Sequence, residues 1–439
     1  MNKTTLPRTL SPNALAAMAC VDAERLIRLQ RTLANFGGRA DGGVAREALT
    51  TVELDARRWL AQQVHGPQYS WHVDEAANLF LRRAGAEEDL PPVMTGSHLD
   101  TQPVGGWLDG AYGVIAGLEV MLALDSADIQ TRYPLELAIW TNEEGSRFSP
   151  GAMGSSAFSN PELLEQFLGS SDAAGVLFAE ERDAAVKAMP AASPVALGRP
   201  VSAYVEAHIE QGPVLEVSGC KLGVVTGIQG VRWFEITITG SSAHAGTTPL
   251  GVRRDALMTA ARLVAHIGDM AEGLEDPALR LTVGRFDAAP GAINTIADRV
   301  RFTIDLRHPV EAVLDSCEQA IRDLVTRGAG ACTYGVRRLM QRAPTKFADD
   351  VVAIVDAAVT ASGQPSCRLV SGAFHDAMHM ADLCPTAMLF VPSHGGISHN
   401  AAEDTDEADL VAGARVLAAV LAELSSSPST NFNALPECV

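Results

Sequence analysis

The chain has 439 residues, more than one hydrophobic core usually organises, so two domains are expected. Its 47% apolar and 20% charged residues are ordinary for a globular protein, and a formal net charge of -19 argues against nucleic acid or an anionic membrane surface as the main partner. The seven cysteines are scattered, odd in number and free of any Cys-x-x-Cys pair, which suits a reducing cytoplasm and excludes a thiolate zinc knuckle. No run of about 18 uncharged apolar residues occurs, and Met1 to Ala16 lacks a charged-then-apolar leader, so neither a membrane span nor a signal peptide is expected.

Residues 1 to about 18 carry Pro, Ser and Asn and read as a loose arm. Val21 to Phe36 and Thr51 to Val64 have the spacing of amphipathic helices. Strands are expected at Ala77 to Arg82 and Pro92 to Ser97, with a helix after Asp109. Leu135 to Thr141 is almost continuously apolar, as a strand covered on both faces would be, and Tyr204 to Glu210 is another strand. Past Gly227 the pattern becomes alternating: Phe234, Ile236 and Ile238 interleave with Glu235, Thr237 and Thr239. From Arg232 to Met340 the order is strand, helix, two strands, helix, strand, resembling a ferredoxin-like sandwich. From Ala348 the α/β alternation resumes, ending in a long helix from Asp406 and a Ser-rich tail expected to fray after Leu424. One α/β domain, 1–228 with 344–439, is thus interrupted by an inserted α+β domain, 229–343, with hinges expected near Gly227, Gly230 and Ala343-Pro344.

The residues able to do chemistry sit at strand ends. His98 and Asp100 are two apart on an extended segment and point the same way, so His98 could bind metal while Asp100 orients its other ring nitrogen. Asp109 could bridge two ions. Of the adjacent Glu143 and Glu144, one can ligate while the other handles protons. His208 ends another strand, and His399 follows the strand ending at Val391. Such a set of imidazoles and carboxylates fits a pair of divalent ions better than a redox centre. Singly, each has a plainer reading: a hydrogen-bonded loop histidine, or a solvated acidic corner. His375 and His379 also share i,i+4 spacing, without the intervening glutamate of a zincin.

Several strings resemble the M20-type dinuclear zinc amidohydrolases, and within them the carbamoylase branch, with allantoate amidohydrolases as near relatives. They are Gly96-Ser97-His98-Leu99-Asp100-Thr101, Thr141-Asn142-Glu143-Glu144-Gly145, His208-Ile209-Glu210-Gln211-Gly212, Ala243-His244-Ala245-Gly246-Thr247-Thr248-Pro249, Asn294-Thr295-Ile296, Asp305-Leu306-Arg307 and Gly396-Ile397-Ser398-His399-Asn400. The resemblance implies a zinc-exopeptidase-like catalytic domain with a mixed central sheet and a lid that also dimerises. It implies two divalent ions, zinc with manganese, cobalt or nickel as alternatives, bridged by Asp109. Glu144 and His399 would complete one site, His98 and His208 the other, with Asp100 behind them. Glu143 would be the general base, and His244, reaching across a homodimer interface, would steady the oxyanion. Gln211, Asn294 and Arg307 would clamp the substrate carboxylate, with His375 and Gly396 as further substrate contacts. The reaction implied is hydrolysis of a ureido acid, such as N-carbamoyl-β-alanine or an N-carbamoyl-L-amino acid, to amino acid, ammonia and carbon dioxide. Alternatives are an allantoate amidohydrolase, a metallopeptidase of the same superfamily, and a metal- or ligand-binding protein without catalysis. One departure is Phe374, where the family usually has glycine before the histidine that is His375 here.

Overall fold

The computed structural model describes residues 9–189 and 191–426. Residues 1–8, the first part of both the leader reading and the expected arm, lie outside that range, as does the tail beyond Ser426. Within it, the loose-arm expectation is corrected: Pro12–Ala19 is a helix. Ser11 caps it by accepting the Ala14 N–H, Pro12 supplies a preset first turn, and Ala14 and Ala17 are buried. The Pro and Ser taken as loop signals are here helix-start signals. Ser425, expected to fray, is likewise buried at the end of the helix Glu407–Ser426.

The chain divides into two compact units, one running to Thr226 and resuming at Lys346, the other Gly227–Thr345. The first is built on a mixed, ten-stranded sheet. At its centre four parallel strands lie side by side in the order Leu135–Trp140, Val93–His98, Ala203–Ile209, Thr386–Val391. All four are buried throughout, and Leu135–Trp140 and Thr386–Val391 are accordingly almost all apolar, while Val93–His98 and Ala203–Ile209 also carry the buried polar residues Thr95, Ser97, His98, Glu206 and His208. In chain order these strands run 2-1-3-4, so the direction of winding reverses between Val93–His98 and Ala203–Ile209. A cleft at the carboxyl edge of such a reversal is the usual ligand site of an open α/β sheet. The helix Ala111–Ser126 is buried along most of its length and largely apolar on every side, as a helix packed within a core must be; its buried Glu119 is paired with Arg25. Trp140, Phe80, Phe158 and Tyr204 pack edge-to-face or tilted beneath the sheet, each pair contributing about 1 kcal/mol beyond area burial.

The second unit is a four-stranded antiparallel sheet in the order Thr333–Arg342, Gly230–Thr239, Arg299–His308, Arg280–Ala289. Its helices Ala256–Gly273 and Glu311–Gly328 cover the face that carries Phe234, Ile236, Ile238, Val300, Phe302 and Ile304. Among the described residues, no helix is long and apolar enough to cross a membrane.

Candidate metal centre

Each of the four central strands delivers polar residues at or just past its carboxyl end. His98 closes its strand, and the following loop returns through Asp100 and Asp109 to the helix Ala111–Ser126. Gly110 takes φ +64°, and a Cβ there would lie 2.4 Å from the His98 ring, so the helix can start against the imidazole only at a glycine. The Asp100 carboxylate accepts the backbone N–H groups of Glu143 and Glu144 at 3.2 and 3.1 Å. That holds the turn after Trp140 in place. The His98 Nδ1 contact comes from the Asp100 carbonyl at 2.8 Å, with the Asp100 carboxylate at 3.9 Å. His208 Nδ1 is held in the same way by the Ile209 carbonyl at 2.9 Å. With Nδ1–H donated to a carbonyl, each ring turns Nε2 inward.

Asp109 lies between two sets of donors. Its Oδ1 is 3.2 Å from His208 Nε2 and 3.8 Å from His98 Nε2. Its Oδ2 is 3.2 Å from His399 Nε2, which in turn is 3.3 Å from Glu144 Oε2. The donor atoms of His98, Asp109 and His208 lie within 4.8 Å of one another, as do those of Asp109, Glu144 and His399. Glu143 Oε2 is 3.5 Å from His98 Nε2. Among the described residues, no lysine or arginine forms an ion pair with Asp109, Glu143 or Glu144. Four carboxylates, counting Asp100, therefore share a buried site; Asp100 feels the nearby Arg57 charge, while Asp109, Glu143 and Glu144 are paired, among the described residues, with imidazoles.

The electrostatics follow. Burial, then the neighbouring Asp376, Glu144, Asp100 and Asp109 carboxylates, hold Glu143 well above the usual carboxylate range. Burial and Asp109 push Glu144 up to about 8. Burial also works to raise Asp109, but hydrogen bonds from His208 and His399 outweigh it and hold the group well below its ordinary value. Burial lowers His98 to about 4. His208 is raised to about 9 because Asp109 overcomes its burial, and His399 is raised to about 9 chiefly by its Asp109 hydrogen bond. Without metal, protons on His208 and His399 thus do the neutralising that divalent cations would do. This donor set, imidazole nitrogen and carboxylate oxygen with surplus buried negative charge, fits divalent metal.

The other expected residues are placed as follows. Gln211 Nε2 donates to Asp109 Oδ2 at 2.8 Å, while its Oε1 is buried without a partner. His375 is 2% exposed, bonded through Nε2 to Ser371 at 2.9 Å, its ring centroid 4.5 Å from that of His208. Phe374 beside it is half-buried. Gly396, at φ +66°, gives its N–H to the Ser393 carbonyl. His244, Asn294 and Arg307 belong to the second unit. There Ala245 N–H bonds the Asn294 carbonyl and His244 pairs with Thr295, so two exposed loops are tied together. His244 Nδ1 accepts the Gly246 N–H at 3.1 Å, which leaves Nε2–H as the free donor. Arg307 is 2.9 Å from Asp305 through both Nε and Nη2.

The sequence reading missed Glu206, whose carboxylate accepts from Ser97, Tyr204 and Ala377 N–H, and which lies within donor range of His208 and His375. Strand alternation, Glu206 two residues before His208, was the available signal. It also missed Gln102, bonded to Glu144 at 2.7 Å, and the Ser398–Glu403 pair in the His399 loop. Glu403 and Trp107 also line a cavity of about 1670 Å³ between the first helices and Glu407–Ser426.

The model of peptidase family M20/M25/M40 matches residues 94–423. The chain is 36% identical over 403 residues to an N-carbamoyl-L-amino-acid amidohydrolase of Rhizobium meliloti, covering 90% of this chain and 95% of that one. It is 34% identical over 401 residues to an allantoate amidohydrolase of Escherichia coli (strain K12), covering 90% and 96%. Among solved structures, a hydantoinase/carbamoylase family amidase from Burkholderia multivorans superposes with a TM-score of 0.87 at 41% identity, covering 93% and 99%.

Proposed function

The chain belongs to peptidase family M20/M25/M40, and from that premise we propose that it is a metal-dependent amidohydrolase converting N-carbamoyl amino acids to the free amino acid, ammonia and carbon dioxide. The N-carbamoyl-L-amino-acid amidohydrolases among its relatives support that substrate class. The observation that carries the reading is the division of Asp109, one oxygen facing His98 and His208 and the other facing His399 and Glu144. These five residues would hold two divalent ions, zinc or else manganese, cobalt or nickel. When bound, such ions acidify water and polarise the substrate carbonyl.

The chain's own groups do the rest. Glu143, buried among carboxylates, is strongly basic for an acid and sits beside the donor set without being needed in it. It takes the proton of the attacking water and passes it to the departing nitrogen. Asp100 keeps Glu143 and Glu144 at their stations through their backbone N–H groups. His244 offers a free Nε2–H suited to a developing oxyanion. Arg307, with Asn294 and Gln211, is suited to a substrate carboxylate, the planar guanidinium matching it bidentately. His375 and Gly396 remain proposed substrate contacts. For His375, burial against His208 supports an action through that imidazole.

The second unit exposes Leu250, Val252 and Ile293 around the His244 loops, and Ile293 is fully exposed. A second copy of the chain covering these side chains would bring His244 to a neighbouring active site, so a homodimer through this unit is part of the proposal. A cytoplasmic setting is too, supported by six free thiols among the described residues. The test is ammonia release by the zinc-loaded protein from N-carbamoyl-β-alanine, N-carbamoyl-L-amino acids and allantoate side by side. Preference for allantoate, whose hydrolases are almost as similar, would shift the assignment; release from none would end it.

A further inference from the structure

We propose that Glu403 is a positioning residue that fixes the Asp109 carboxylate between the two metal positions. The inference rests on the reading of Asp109 as their shared ligand. Glu403 reaches Asp109 by two routes. Its Oε1 accepts the backbone N–H groups of Leu108 and Asp109, both at 3.0 Å. Its Oε2 is 2.9 Å from Ser398 Oγ, and that hydroxyl is 3.0 Å from Asp109 Oδ2. Main chain and side chain of Asp109 are thereby tied to one carboxyl group.

The same group couples two loops. Ser398 precedes His399, so Glu403 sets the loop carrying Asp109 against the loop carrying His399, whose Nε2 lies 3.2 Å from Asp109 Oδ2. Glu403 is 2% exposed, and among the described residues no arginine or lysine pairs with it. A buried acid without a cation is costly unless its hydrogen bonds are complete. Here the Leu108 and Asp109 N–H groups meet Oε1, and the single hydroxyl proton of Ser398 lies between Oε2 and Asp109 Oδ2. Gly106 makes room for the arrangement: a Cβ there would fall 2.0 Å from Glu403 Oε1 and 2.5 Å from its Cβ, so the side chain would have to leave.

Hydrogen-bond geometry, not charge, is what this role requires. In Glu403→Gln, Oε1 can still accept both N–H groups and the amide N–H can donate to Ser398, whose hydroxyl then donates to Asp109. Glu403→Ala keeps none of these contacts, and Gly106→Ala displaces the side chain from its seat. Full-length protein, stripped with a chelator and titrated with zinc against a chromophoric competitor, reads the outcome, alongside kcat and KM for ammonia release. Glu403→Ala and Gly106→Ala should each lose roughly 10–100-fold in zinc affinity, as outer-shell partners of metal ligands do. Both should fall in kcat more than they rise in KM, while Glu403→Gln recovers most of both losses. If Glu403→Ala does not fold, Ser398→Ala cuts the side-chain route alone and should show a smaller loss of the same kind. Wild-type zinc affinity in Glu403→Ala or in Ser398→Ala, or a Glu403→Gln as impaired as Glu403→Ala, would overturn the assignment. Failure of the wild-type protein itself to bind zinc would instead sink the two-ion reading.

Discussion

Asp100 underlies Glu144: its Oδ2 accepts the Glu144 N–H at 3.1 Å, and its Oδ1 takes that of Glu143 at 3.2 Å. One buried side chain therefore orients a proposed ligand and the proposed base together. Asp100→Asn preserves volume but sets an N–H against one of those N–H groups. We expect kcat to fall roughly 10–100-fold with weaker metal retention, the usual cost of an outer-shell change. Steady-state kinetics and metal analysis on the same preparation check both. A normal kcat would remove Asp100 from the machinery.

Metal loading should depend on pH in a definite direction. In the metal-free protein His208 and His399 titrate at about 9 and Glu144 at about 8, so all three hold protons at pH 7. Metal must displace those protons, so zinc affinity should climb from pH 7 to 9 and proton release should show in buffers of different ionisation enthalpy. The stripped protein adds a stability test. The two imidazolium contacts with Asp109 contribute fully below the unfolded histidine pKa and are lost as pH rises through about 9. Glu144, protonated in the native state and ionised in the unfolded chain above about 4.5, acts in the same direction. The melting temperature of the stripped protein should therefore fall between pH 6.5 and 9, and that of the zinc-loaded protein should fall less. A flat profile for the stripped protein would contradict this charge arrangement.

The strands that position the centre were legible because they are buried on both faces, which leaves runs such as Leu135–Trp140 with Glu136 as their single polar interruption. His98, Glu144, His208 and His399 were legible because each lies at or just past the end of a buried strand, and Asp109 because it lies in the glycine-rich loop after His98. Chain order alone could not show that Asp100 acts through backbone N–H groups, nor that Gln211 bonds Asp109. Those contacts join residues 43 and 102 positions apart, and no local periodicity encodes them. The helix Pro12–Ala19 was missed because Ser and Pro mark turns and helix starts alike. Only the apolar surface that buries Ala14 and Ala17 decides between the two. Glu403 went unnoticed for a related reason, since a lone glutamate in an acidic loop carries no signal until its donors are seen.

Glu143→Gln should separate an enzyme from a binding protein. The amide keeps the shape of the side chain but cannot accept a proton. An enzyme should lose roughly 10²–10⁴-fold in kcat, the range for a general base, while its metal content stays near wild type. Ammonia release and metal analysis decide the matter. Undiminished activity would remove Glu143 as the base.

Arg307 tests the substrate carboxylate. It lies on one face of Arg299–His308 with Asp305, which holds its guanidinium in a fixed plane. Arg307→Ala should weaken binding by about 2–5 kcal/mol, read as a raised KM with a smaller change in kcat. Arg307→Lys should recover little, since an ammonium cannot make two parallel bonds. A ureido substrate lacking the carboxylate should be nearly indifferent to either change. Equal losses on both substrates would mean that Arg307 acts structurally.

His244 tests whether two chains build one active site. Its Nδ1 is already engaged by Gly246 N–H, so what it offers a substrate is Nε2–H. His244→Ala should lower kcat by roughly 10²–10³-fold, the cost of one oxyanion donor. Mixing it with Glu143→Gln then distinguishes service within a chain from service to a neighbour. If His244 acts on its own chain, every site in a mixed dimer lacks one of the two groups and activity stays near zero. If it acts across the interface, each mixed dimer has one site with both groups and one with neither. After subunit exchange at equal amounts, half the dimers are mixed, so activity should return to about a quarter of wild type. No recovery despite proven exchange would confine His244 to its own chain and remove the reason for an obligate dimer.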